Sequence, residues 1–478
     1  MARIVVVSNR VAVPEHDAGA RAGGLAVVIS AFLKRNRGLW FGWSGRTVAK
    51  GEEAVRQVKH GGVTFVTTDL SRTDFQEYYN GYSNRMLWPI LHYRLDLAEF
   101  SSRDMAGYLR VNEHFADCLQ NVLRPDDVIW VHDYHLIPLA KALRDRGVEN
   151  KIGFFLHIPF PPRDMLTCLP KHERIILSLC HYDLVGFQTD NDADNLADYL
   201  TEECRMPSRD RRTFIAGQRT MRIGVFPVGV EMSEFERLGR RASRVAVVQE
   251  VVRSLADRSM IIGVDRLDYS KGLAMRMRAF EQFLASYPRW RGGVTYLQIT
   301  PRSRSDIREY ADMERRIDET VGRVNGHYGE AAWTPIRYVN RPHSRTALAG
   351  LYRSSRAALV TPLRDGMNLV AKEYIAAQDP EDPGVLILSR FAGAAVECQA
   401  ALLVNPYDQE AVAAAINDAL SMPLDERRAR HGALVKVLSE NDVKYWGERF
   451  VTALVQPSTK VSSSAPAGTA ATYAAAAE

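Results

Sequence analysis

Short hydrophobic runs recur along the chain, and each ends in a polar or glycine-containing turn. The first run, residues 4–7, is apolar at every position and rich in valine. A run without polar alternation is typical of a strand that is buried on both faces of a parallel sheet. Comparable runs occupy residues 128–131, 152–156, 184–187, 223–226, 260–264, 294–299, 357–360 and 385–388.

Segments with helix-like patterns separate several of these runs, for example at residues 274–286, 302–323 and 367–377. Strands that alternate with helices indicate βαβ units, in which helices cover both faces of a parallel sheet. The pattern of hydrophobic positions therefore predicts an α/β fold.

The strand–helix series is interrupted by the Arg-rich segment 235–258, which predicts an exposed linker helix. We therefore predict two Rossmann-like domains of similar size, residues 1–235 and residues 236–440. Two such domains form a cleft, and open α/β sheets bind ligands beyond the carboxyl ends of their strands. We expect residues 441–455 to form a C-terminal helix that packs back on the first domain, and the Ala/Ser-rich tail 456–478 to be disordered.

Composition narrows the class of protein. The chain has 478 residues with 62 Lys and Arg against 57 Asp and Glu, a net charge of +5. This balance is too even for a protein that coats a polyanion, so we expect no nucleic-acid partner. No apolar run approaches the roughly 18–20 residues of a membrane span, and the first residues lack the pattern of a signal peptide. Five scattered cysteines without a C-x-x-C pair argue against a disulfide framework or zinc knuckle, so we expect a cytoplasmic protein.

The strongest candidate for chemistry follows the run 260–264, in the segment Asp265-Arg-Leu-Asp-Tyr-Ser-Lys-Gly. Arg266 and Lys271 lie in a strand-to-helix connection, and Gly272 opens the next helix. Two cations beside the free amides of a helix N-terminus form a cradle for a diphosphate. Only 11 of the 62 basic residues are lysines, so the occurrence of a lysine directly before this glycine is informative. The alternative is a solvated basic loop, and the pattern alone leaves both interpretations open.

A second connection follows the run 357–360. Asp365 lies in this loop, and Gly366 allows a ligand to approach the backbone closely. Residues 367–369 would offer free amides at a helix start, and Glu373 lies one turn into that helix. A carboxylate at this position could bind two vicinal hydroxyls of a ribose. The alternative interpretation is a capped helix with a surface glutamate.

The first half of the chain carries weaker signals. Gly23 and Gly24 form a pair that is more often a turn than a ligand loop. Aromatic side chains are dense at residues 40–45 and 78–89, which suits the apolar faces of a sugar, although most aromatic residues are simply core.

Polar residues also follow two consecutive predicted strands. Asp133 and His157 therefore lie near the carboxyl edge of the first sheet, where polar residues tend to be functional. His132 and His135 are three residues apart and could be metal ligands, but no third ligand has a suitable spacing.

The acidic segment 190–195 resembles the start of a calcium loop. Its sixth position is Asn195 rather than Gly, and its twelfth is Thr201 rather than Glu, so the calcium motif fails. Helix capping explains this segment better. The sequence contains neither G-x-x-x-x-G-K-[ST] nor G-x-S-x-G, which argues against a P-loop NTPase and an α/β-hydrolase.

Several segments follow one another in a specific order along the chain. They are Val7-Ser-Asn-Arg, Gly23-Gly-Leu-Ala, Trp40-Phe-Gly-Trp-Ser-Gly, Tyr79-Asn-Gly-Tyr-Ser-Asn, Leu87-Trp-Pro, His132-Asp-Tyr-His, His157-Ile-Pro-Phe-Pro, Asp265-Arg-Leu-Asp-Tyr-Ser-Lys-Gly and Leu363-Arg-Asp-Gly-Met-Asn-Leu-Val-Ala-Lys-Glu. This order resembles the trehalose-6-phosphate synthase family (glycosyltransferase family 20), retaining glucosyltransferases of the GT-B fold. The resemblance covers residues 2–455.

The resemblance implies two Rossmann-like domains that face each other across a cleft, the first for glucose 6-phosphate and the second for the nucleotide sugar. It implies transfer of glucose, with retention, from UDP-, ADP- or GDP-glucose to glucose 6-phosphate, giving α,α-trehalose 6-phosphate. It also implies small-molecule substrates, no cofactor, no metal, and a homo-oligomer that is a dimer or a tetramer.

On the donor side, the resemblance places Arg266 and Lys271 on the diphosphate, where cations stabilise the charge that develops on the leaving oxygen. It places Asp365 and His157 beside the transferred glucose, His157 near its 6-hydroxyl, and Glu373 on the ribose. Arg266, Lys271, Asp365 and His157 are the predicted catalytic residues. Further donor contacts are predicted for Gly23, Gly24, His343, Gly366, Met367, Asn368, Leu369 and Val370.

On the acceptor side, the resemblance places Arg10 and Arg304 on the 6-phosphate. Tyr79, Trp88 and Asp133 are predicted to line the sugar. Retention normally indicates a carboxylate nucleophile, whereas the resemblance suggests front-side attack, and the sequence does not distinguish the two routes.

Two alternative functions are weighed against this one. Another GT-B glucosyltransferase, such as a glycogen-synthase-like or glucosylglycerol-phosphate-forming enzyme, would not explain the implied phosphate-binding arginines. A non-catalytic sugar-phosphate sensor would not explain why the predicted catalytic residues and Glu373 are all intact.

Overall fold

A computed structural model describes residues 2–13, 24–302 and 308–456 of the chain. These residues divide into two units. Unit 1 takes in the described residues up to Pro227 and from Tyr445 onward, and unit 2 is Val228–Lys444. The chain thus enters unit 2 after Pro227, whereas the sequence pattern placed the boundary at residue 235. The tail predicted to be disordered lies, apart from Gln456, outside the described residues.

Nine strands form the sheet of unit 1 within the residues described. They are β1 (Ile4–Arg10), β2 (Leu39–Val48), β3 (Val55–His60), β4 (Val63–Ser71), β5 (Val128–His132), β6 (Lys151–Phe155), β7 (Leu184–Phe187), β8 (Thr213–Ala216) and β9 (Arg219–Val225). Their order is β3-β4-β2-β1-β5-β6-β7-β9-β8, and only the edge pairs β3–β4 and β8–β9 are antiparallel. The chain continues from β1 to β2 on one side and places β5 on the other. The position between β1 and β5 is therefore a topological switch point, where open α/β sheets bind ligands.

The helices of unit 1 connect these strands. They are α1 (Gly24–Asn36), α2 (Arg72–Asp74), α3 (Trp88–Leu91), α4 (Ser102–Gln120), α5 (Leu139–Asp145), α6 (Arg163–Leu166), α7 (His172–Ile176) and α8 (Asp190–Asp198). A π-helical segment, Phe75–Leu87, leads directly into α3. The acidic segment that resembled a calcium loop is the start of α8, where Thr189 caps the helix by accepting a hydrogen bond from the Asp192 amide. The capping interpretation is confirmed.

Six parallel strands form the sheet of unit 2 in the part of the chain that the structure describes. They are β10 (Ser259–Val264), β11 (Val294–Ile299), β12 (Ile336–Val339), β13 (Ala357–Val360), β14 (Val385–Ser389) and β15 (Leu402–Val404). Their order is β12-β11-β10-β13-β14-β15. The switch point of this sheet lies between β10 and β13, which are the two strands before the candidate phosphate and ribose loops.

Several helices of unit 2 pack on a core in which Phe280, Phe283 and Ile416 are fully buried. The segment 235–258, which was predicted to be one linker helix, contributes to two helices, the first two of this unit. The helices are α9 (Met232–Arg241), α10 (Ala246–Leu255), α11 (Leu273–Ser286), α12 (Arg308–Tyr328), α13 (Arg345–Arg353), α14 (Leu369–Ala377), α15 (Gln409–Ser421) and α16 (Leu424–Glu440). None of the helices in the described ranges is long and apolar enough to cross a membrane.

All nine hydrophobic runs that predicted strands form strands, so the predicted α/β class is confirmed. The strands that the pattern missed are β2, β3, β4, β8, β12 and β15. Of these, β2, β3 and β4 form one side of the unit 1 sheet and β8 forms its opposite edge, whereas β12 and β15 form the two edges of the unit 2 sheet. Edge strands such as β3 are partly exposed and carry polar residues, so they lack the continuous apolar signature of central parallel strands. The strand β4 is largely buried, but its second half is polar in sequence, so it lacks this signature too.

The last described helix, α17 (Val443–Val455), carries aromatic residues that pack on the unit 1 sheet. Phe450 is fully buried, and its ring stacks on Trp130 of β5 with centroids 4.7 Å apart. Gly153 of β6 and Gly186 of β7 provide the space, because a Cβ atom at either position would lie 2.7 Å from the Phe450 ring.

Candidate active site

Two loops of unit 2 meet at the carboxyl edge of its sheet. One follows β10 and carries Lys271, and the other follows the neighbouring strand β13 and carries Asp365. Nζ of Lys271 lies 2.6 Å from Oδ2 of Asp365, and both side chains are largely buried. Nδ2 of Asn368 donates to the same oxygen at 3.0 Å. Two predicted catalytic residues that are 94 positions apart in the sequence are therefore in direct contact.

A fully buried guanidinium, that of Arg276 on α11, lies behind both loops. Its Nη1 donates to Oδ2 of Asp265 at 2.5 Å and to Oε1 of Gln298 at 3.1 Å. Its Nε donates to Oγ1 of Thr361 at 2.9 Å, and Nη2 donates to the carbonyl of Lys271 at 3.2 Å. Burial opposes the charge of Arg276, but the Asp265 carboxylate beside it raises the pKa of the guanidinium above its usual value. One cation thus ties together the ends of β10, β11 and β13.

Sequence analysis did not single out Arg276. An arginine in an amphipathic helix is ordinarily exposed, and the four groups that it binds are scattered along the chain. The only local indication of its role was an acidic residue, Asp265, directly after a predicted strand.

Arg266 lies on the same loop with its side chain half exposed. Its Nη2 is 3.6 Å from Oδ2 of Asp268, which is itself fully buried. Asp268 accepts hydrogen bonds from the amide of Ser270 at 3.0 Å and from its hydroxyl at 2.9 Å. The loop therefore has a fixed inner turn and presents a guanidinium at its surface, as a diphosphate site requires.

Two glycines allow the loops to approach each other. Gly272 opens α11 as predicted, with φ of +67°, and a Cβ atom there would lie 2.7 Å from the carbonyl oxygen of Thr361. A Cβ atom on Gly393 would lie 1.9 Å from the carbonyl oxygen of Gly366. Any side chain at either position would push the β13 loop away from its observed place.

The start of α14 is held in an unusual backbone conformation. Asn368 has φ of +84° and caps the helix by accepting from the Ala371 amide at 3.1 Å. The carbonyl of Met367 accepts from the Ala394 amide at 2.7 Å. A positive φ at a non-glycine residue is strained and frequent at functional sites. Among the other predicted contacts, Met367 is buried, and Leu369 and Val370 are half-buried in the first turn.

Glu373 lies one turn into α14, as predicted, and is half-buried. Burial raises the pKa of this carboxyl to about 7; the charge of Arg345 opposes the shift, and that of Glu234 adds to it. Arg345 donates to both carboxylate oxygens of Glu234, at 3.1 and 3.0 Å. A carboxyl group that is half ionised near neutral pH is typical of functional sites.

The carboxyl edge of the unit 1 sheet carries three of the predicted residues. Arg10 ends β1, Asp133 follows β5 and His157 follows β6, and these strands are neighbours. Asp133 has φ of +77°, and its Oδ1 is 3.4 Å from the His157 amide. Nε2 of His157 lies 3.0 Å from Nδ1 of His132. The histidine that pattern analysis considered as a metal ligand is therefore a hydrogen-bond partner of a predicted catalytic residue.

The predicted aromatic residues of the acceptor site are well packed. Tyr79 is half-buried, and its ring stacks on those of His135 and Phe75, with centroids 5.7 and 5.4 Å away. Trp88 is only 4% exposed and packs against His92 and Tyr134. Trp88 is thus mainly a core residue in this structure, and its predicted sugar contact stays a prediction.

The remaining predicted residues are placed as follows. Gly24 begins α1, and His343 precedes Ser344, the capping residue of α13, in the segment after β12. Gly23 and Arg304 lie outside the described residues. Across the described ranges, no group of three or more His, Cys, Asp or Glu side chains is arranged to hold a metal ion.

Known proteins resemble this chain over nearly its whole length. The model of glycosyltransferase family 20 matches residues 2–456. A trehalose-6-phosphate synthase of Sinorhizobium fredii is 53% identical over 460 residues, which are 96% of this chain and 99% of that protein.

Solved structures agree with this match. The α,α-trehalose-phosphate synthase (UDP-forming) of Burkholderia xenovorans, in complex with glucose 6-phosphate, has a TM-score of 0.92 at 47% identity and covers 95% of this chain and 100% of its own. A structure from Escherichia coli with UDP-2-fluoro glucose bound has a TM-score of 0.91 at 47% identity and covers 96% and 100%. The predicted GT-B fold class is confirmed by these similarities.

We predict that Arg276→Met destabilises unit 2, because it leaves the buried Asp265 without its cation. The expected loss in the free energy of unfolding is about 3–5 kcal/mol. Urea denaturation followed by fluorescence measures it. The matched control is Arg278→Met, which removes an exposed arginine from the same helix. Equal effects of the two substitutions would contradict the role given to the buried pair.

Proposed function

Because this chain belongs to glycosyltransferase family 20, and is therefore a glycosyltransferase, we propose that it transfers glucose from UDP-glucose to glucose 6-phosphate. The product is α,α-trehalose 6-phosphate. The observation that carries this proposal is the convergence of Lys271, Asp365 and Asn368 at the switch point of the unit 2 sheet. The relatives with bound glucose 6-phosphate and bound UDP-2-fluoro glucose support the choice of substrates.

The donor is activated by charge at its leaving group. Breaking the bond between C1 and the diphosphate builds negative charge on the leaving oxygen, so cations there act most strongly in the transition state. Arg266 and Lys271 supply that charge, and we propose that no metal ion is needed. Lys271 already has an anionic partner in Asp365, and it exchanges this partner for the diphosphate when the donor binds.

Asp365 then interacts with the hydroxyls of the transferred glucose. Its Oδ2 accepts from both Lys271 and Asn368 before any ligand is present. Once Lys271 has moved to the diphosphate, the side-chain amide of Asn368 remains to orient this carboxylate for binding hydroxyls. We propose front-side attack rather than a covalent glucosyl intermediate. In that route the C1–O bond to the diphosphate breaks and the acceptor's anomeric oxygen bonds to C1 on the same face. The acceptor's proton passes to the departing phosphate oxygen.

The remaining predicted residues bind and orient the substrates. Glu373 accepts hydrogen bonds from the ribose hydroxyls, and His157 contacts the transferred glucose. The acceptor's 6-phosphate is bound by arginines, and Asp133 contacts its sugar ring. Unit 1 is the proposed acceptor unit and unit 2 the proposed donor unit. The homo-oligomer and the cytoplasmic location expected from the sequence stay predictions.

We predict that the purified full chain releases UDP from UDP-glucose, that glucose 6-phosphate stimulates the release, and that chromatography identifies trehalose 6-phosphate as the product. UDP-, ADP- and GDP-glucose are compared side by side, and EDTA should leave the rate unchanged. Release that glucose 6-phosphate does not stimulate, with any of the three donors, would exclude the synthase reaction. A polymer-forming enzyme would instead depend on a glucan acceptor, and a sensor would release no nucleotide.

We predict that Lys271→Ala lowers kcat by about 100-fold or more, because the leaving group loses a fixed cation. Lys436→Ala, which removes an exposed lysine from α16 of the same unit, is the control and should keep wild-type turnover. Steady-state UDP release at saturating donor and acceptor measures both. A Lys271→Ala enzyme with unchanged kcat would show that the lysine does not act on the leaving group.

We predict that kcat/KM for UDP-glucose rises as the pH increases through about 7. Glu373 has its pKa raised to about 7, and only the ionised carboxylate can accept from both ribose hydroxyls. The profile is measured at saturating glucose 6-phosphate. Glu373→Gln should lower kcat/KM by roughly 10- to 100-fold and abolish this ionisation from the profile. Glu410→Gln, at an exposed position, is the control; a profile that is the same in wild type and Glu373→Gln would refute the assignment.

A further inference from the structure

At the carboxyl edge of the unit 1 sheet, two histidine rings share one hydrogen bond. His132 is the last residue of β5, and His157 lies two residues beyond β6. Nδ1 of His132 is 3.0 Å from Nε2 of His157, and the ring centroids are 5.3 Å apart. His132 is fully buried, whereas His157 is half-buried. The proposed function assigns a substrate contact to His157 and no role to His132.

Elsewhere the His132 ring packs against aromatic rings. The ring packs on Trp130, with centroids 4.5 Å apart, and on Trp446 at 6.1 Å. Within the described part of the chain, its buried Nε2 has no hydrogen-bond partner. The contact with His157 is therefore the polar interaction that decides where His132 carries its proton.

Only one of the two possible proton arrangements avoids a buried unpaired donor. If His157 donated from Nε2, the neutral His132 would carry its proton on its own Nε2, as an N–H with no acceptor. Buried N–H groups without acceptors are rare and costly. If His132 donates from Nδ1, its Nε2 is left as a lone pair, which is the less costly arrangement. His157 then accepts at Nε2 and carries its own proton on Nδ1.

Both rings are neutral at physiological pH, so this choice between tautomers is a real one. Burial lowers the pKa of His132 well below its usual value, and the neighbouring His157 lowers it further. Burial lowers the pKa of His157 to about 3. The His157 amide also faces the Asp133 carboxylate at 3.4 Å, which holds the backbone at this position.

We propose that His132 is a positioning residue that fixes His157 as the Nδ1-protonated tautomer, so that His157 offers its substrate a hydrogen-bond donor. The ring nitrogen left for the ligand is then always an N–H, which binds a hydroxyl through that group's oxygen. The identity of this hydroxyl, the 6-hydroxyl of the transferred glucose, rests on the proposed function. The tautomer itself does not.

The first test reads the tautomer directly and needs no activity. A long-range proton–nitrogen correlation spectrum is recorded on the full chain labelled with nitrogen-15 in its 12 histidines. The signals of the pair are assigned by their loss in His157→Gln and His132→Asn. We expect His157 protonated on Nδ1 and His132 protonated on Nδ1. A wild-type His157 protonated on Nε2 would overturn the proposal.

The second test uses two substitutions of His132 that differ in one group. His132→Asn retains an N–H donor near the position of Nδ1, whereas His132→Leu removes it. We expect His132→Leu to lower kcat/KM for UDP-glucose by about 10- to 100-fold, with little change in the KM for glucose 6-phosphate. His132→Asn should restore most of this loss. His114→Leu, which removes a hydrogen-bonded histidine of α4 in the same unit, controls for a general effect. Equal losses in the Asn and Leu variants would contradict the positioning role.

The third test separates this proposal from the proposed function. UDP-6-deoxyglucose lacks the hydroxyl assigned to His157, so His132→Leu should have little effect on its transfer. An undiminished effect with this donor would refute the assignment to the 6-hydroxyl. If the enzyme transferred no glucose at all, the proposed function would fail, while the nitrogen spectrum would still decide whether His132 sets the tautomer.

Discussion

The buried pair of Arg276 and Asp265 is the constraint on which the candidate donor site depends. Two charges removed from water are stable together only when their hydrogen-bonding groups are satisfied. Here the guanidinium satisfies this condition by binding groups at the ends of three adjacent strands and the backbone carbonyl of Lys271. Moving the end of β10 would leave a buried charge unpaired, and moving the end of β11 or β13 would break a buried hydrogen bond to the guanidinium. The loops that carry Lys271 and Asp365 are therefore fixed from behind, before a ligand arrives, which is what electrostatic stabilisation of a transition state requires.

Burial acts differently at the two candidate sites. In unit 2, the buried charges of Arg276 and Asp265 are kept because they pair with each other, and Lys271 is held in the same way by Asp365. In unit 1, burial without a charged partner keeps His132 and His157 neutral. This division suits the proposed chemistry. A departing diphosphate needs positive charge, whereas a sugar hydroxyl needs only a well-placed neutral donor.

Local sequence patterns were enough to predict the central strands and the loops that follow β10 and β13. A central parallel strand is apolar on both faces, and the short connection after it places polar residues at one edge of the sheet.

Contacts between distant segments could not be predicted in this way. Arg276 resembles any helix arginine until the fold brings Thr361, 85 positions away, to its side. The burial of Trp88 could not be predicted either, because a tryptophan that lines a sugar and one that lies in the core have the same local sequence pattern. The division at Pro227 lies before the predicted boundary, because linker composition extends into the first helices of unit 2.

The end of the chain shows why a residue's chemistry is not a local property. Trp446 and Phe450 of α17 cover the strands that carry the histidine pair, and Trp446 packs on both histidine rings. This cover excludes water from His132, and exclusion of water is the main reason that its pKa is low. The two glycines at positions 153 and 186 are in turn what allow Phe450 to pack closely against the sheet. The protonation of His157, a predicted catalytic residue, therefore depends on a helix about 290 positions later in the chain. It also depends on Gly153 and Gly186, which leave room for that helix because they have no side chain.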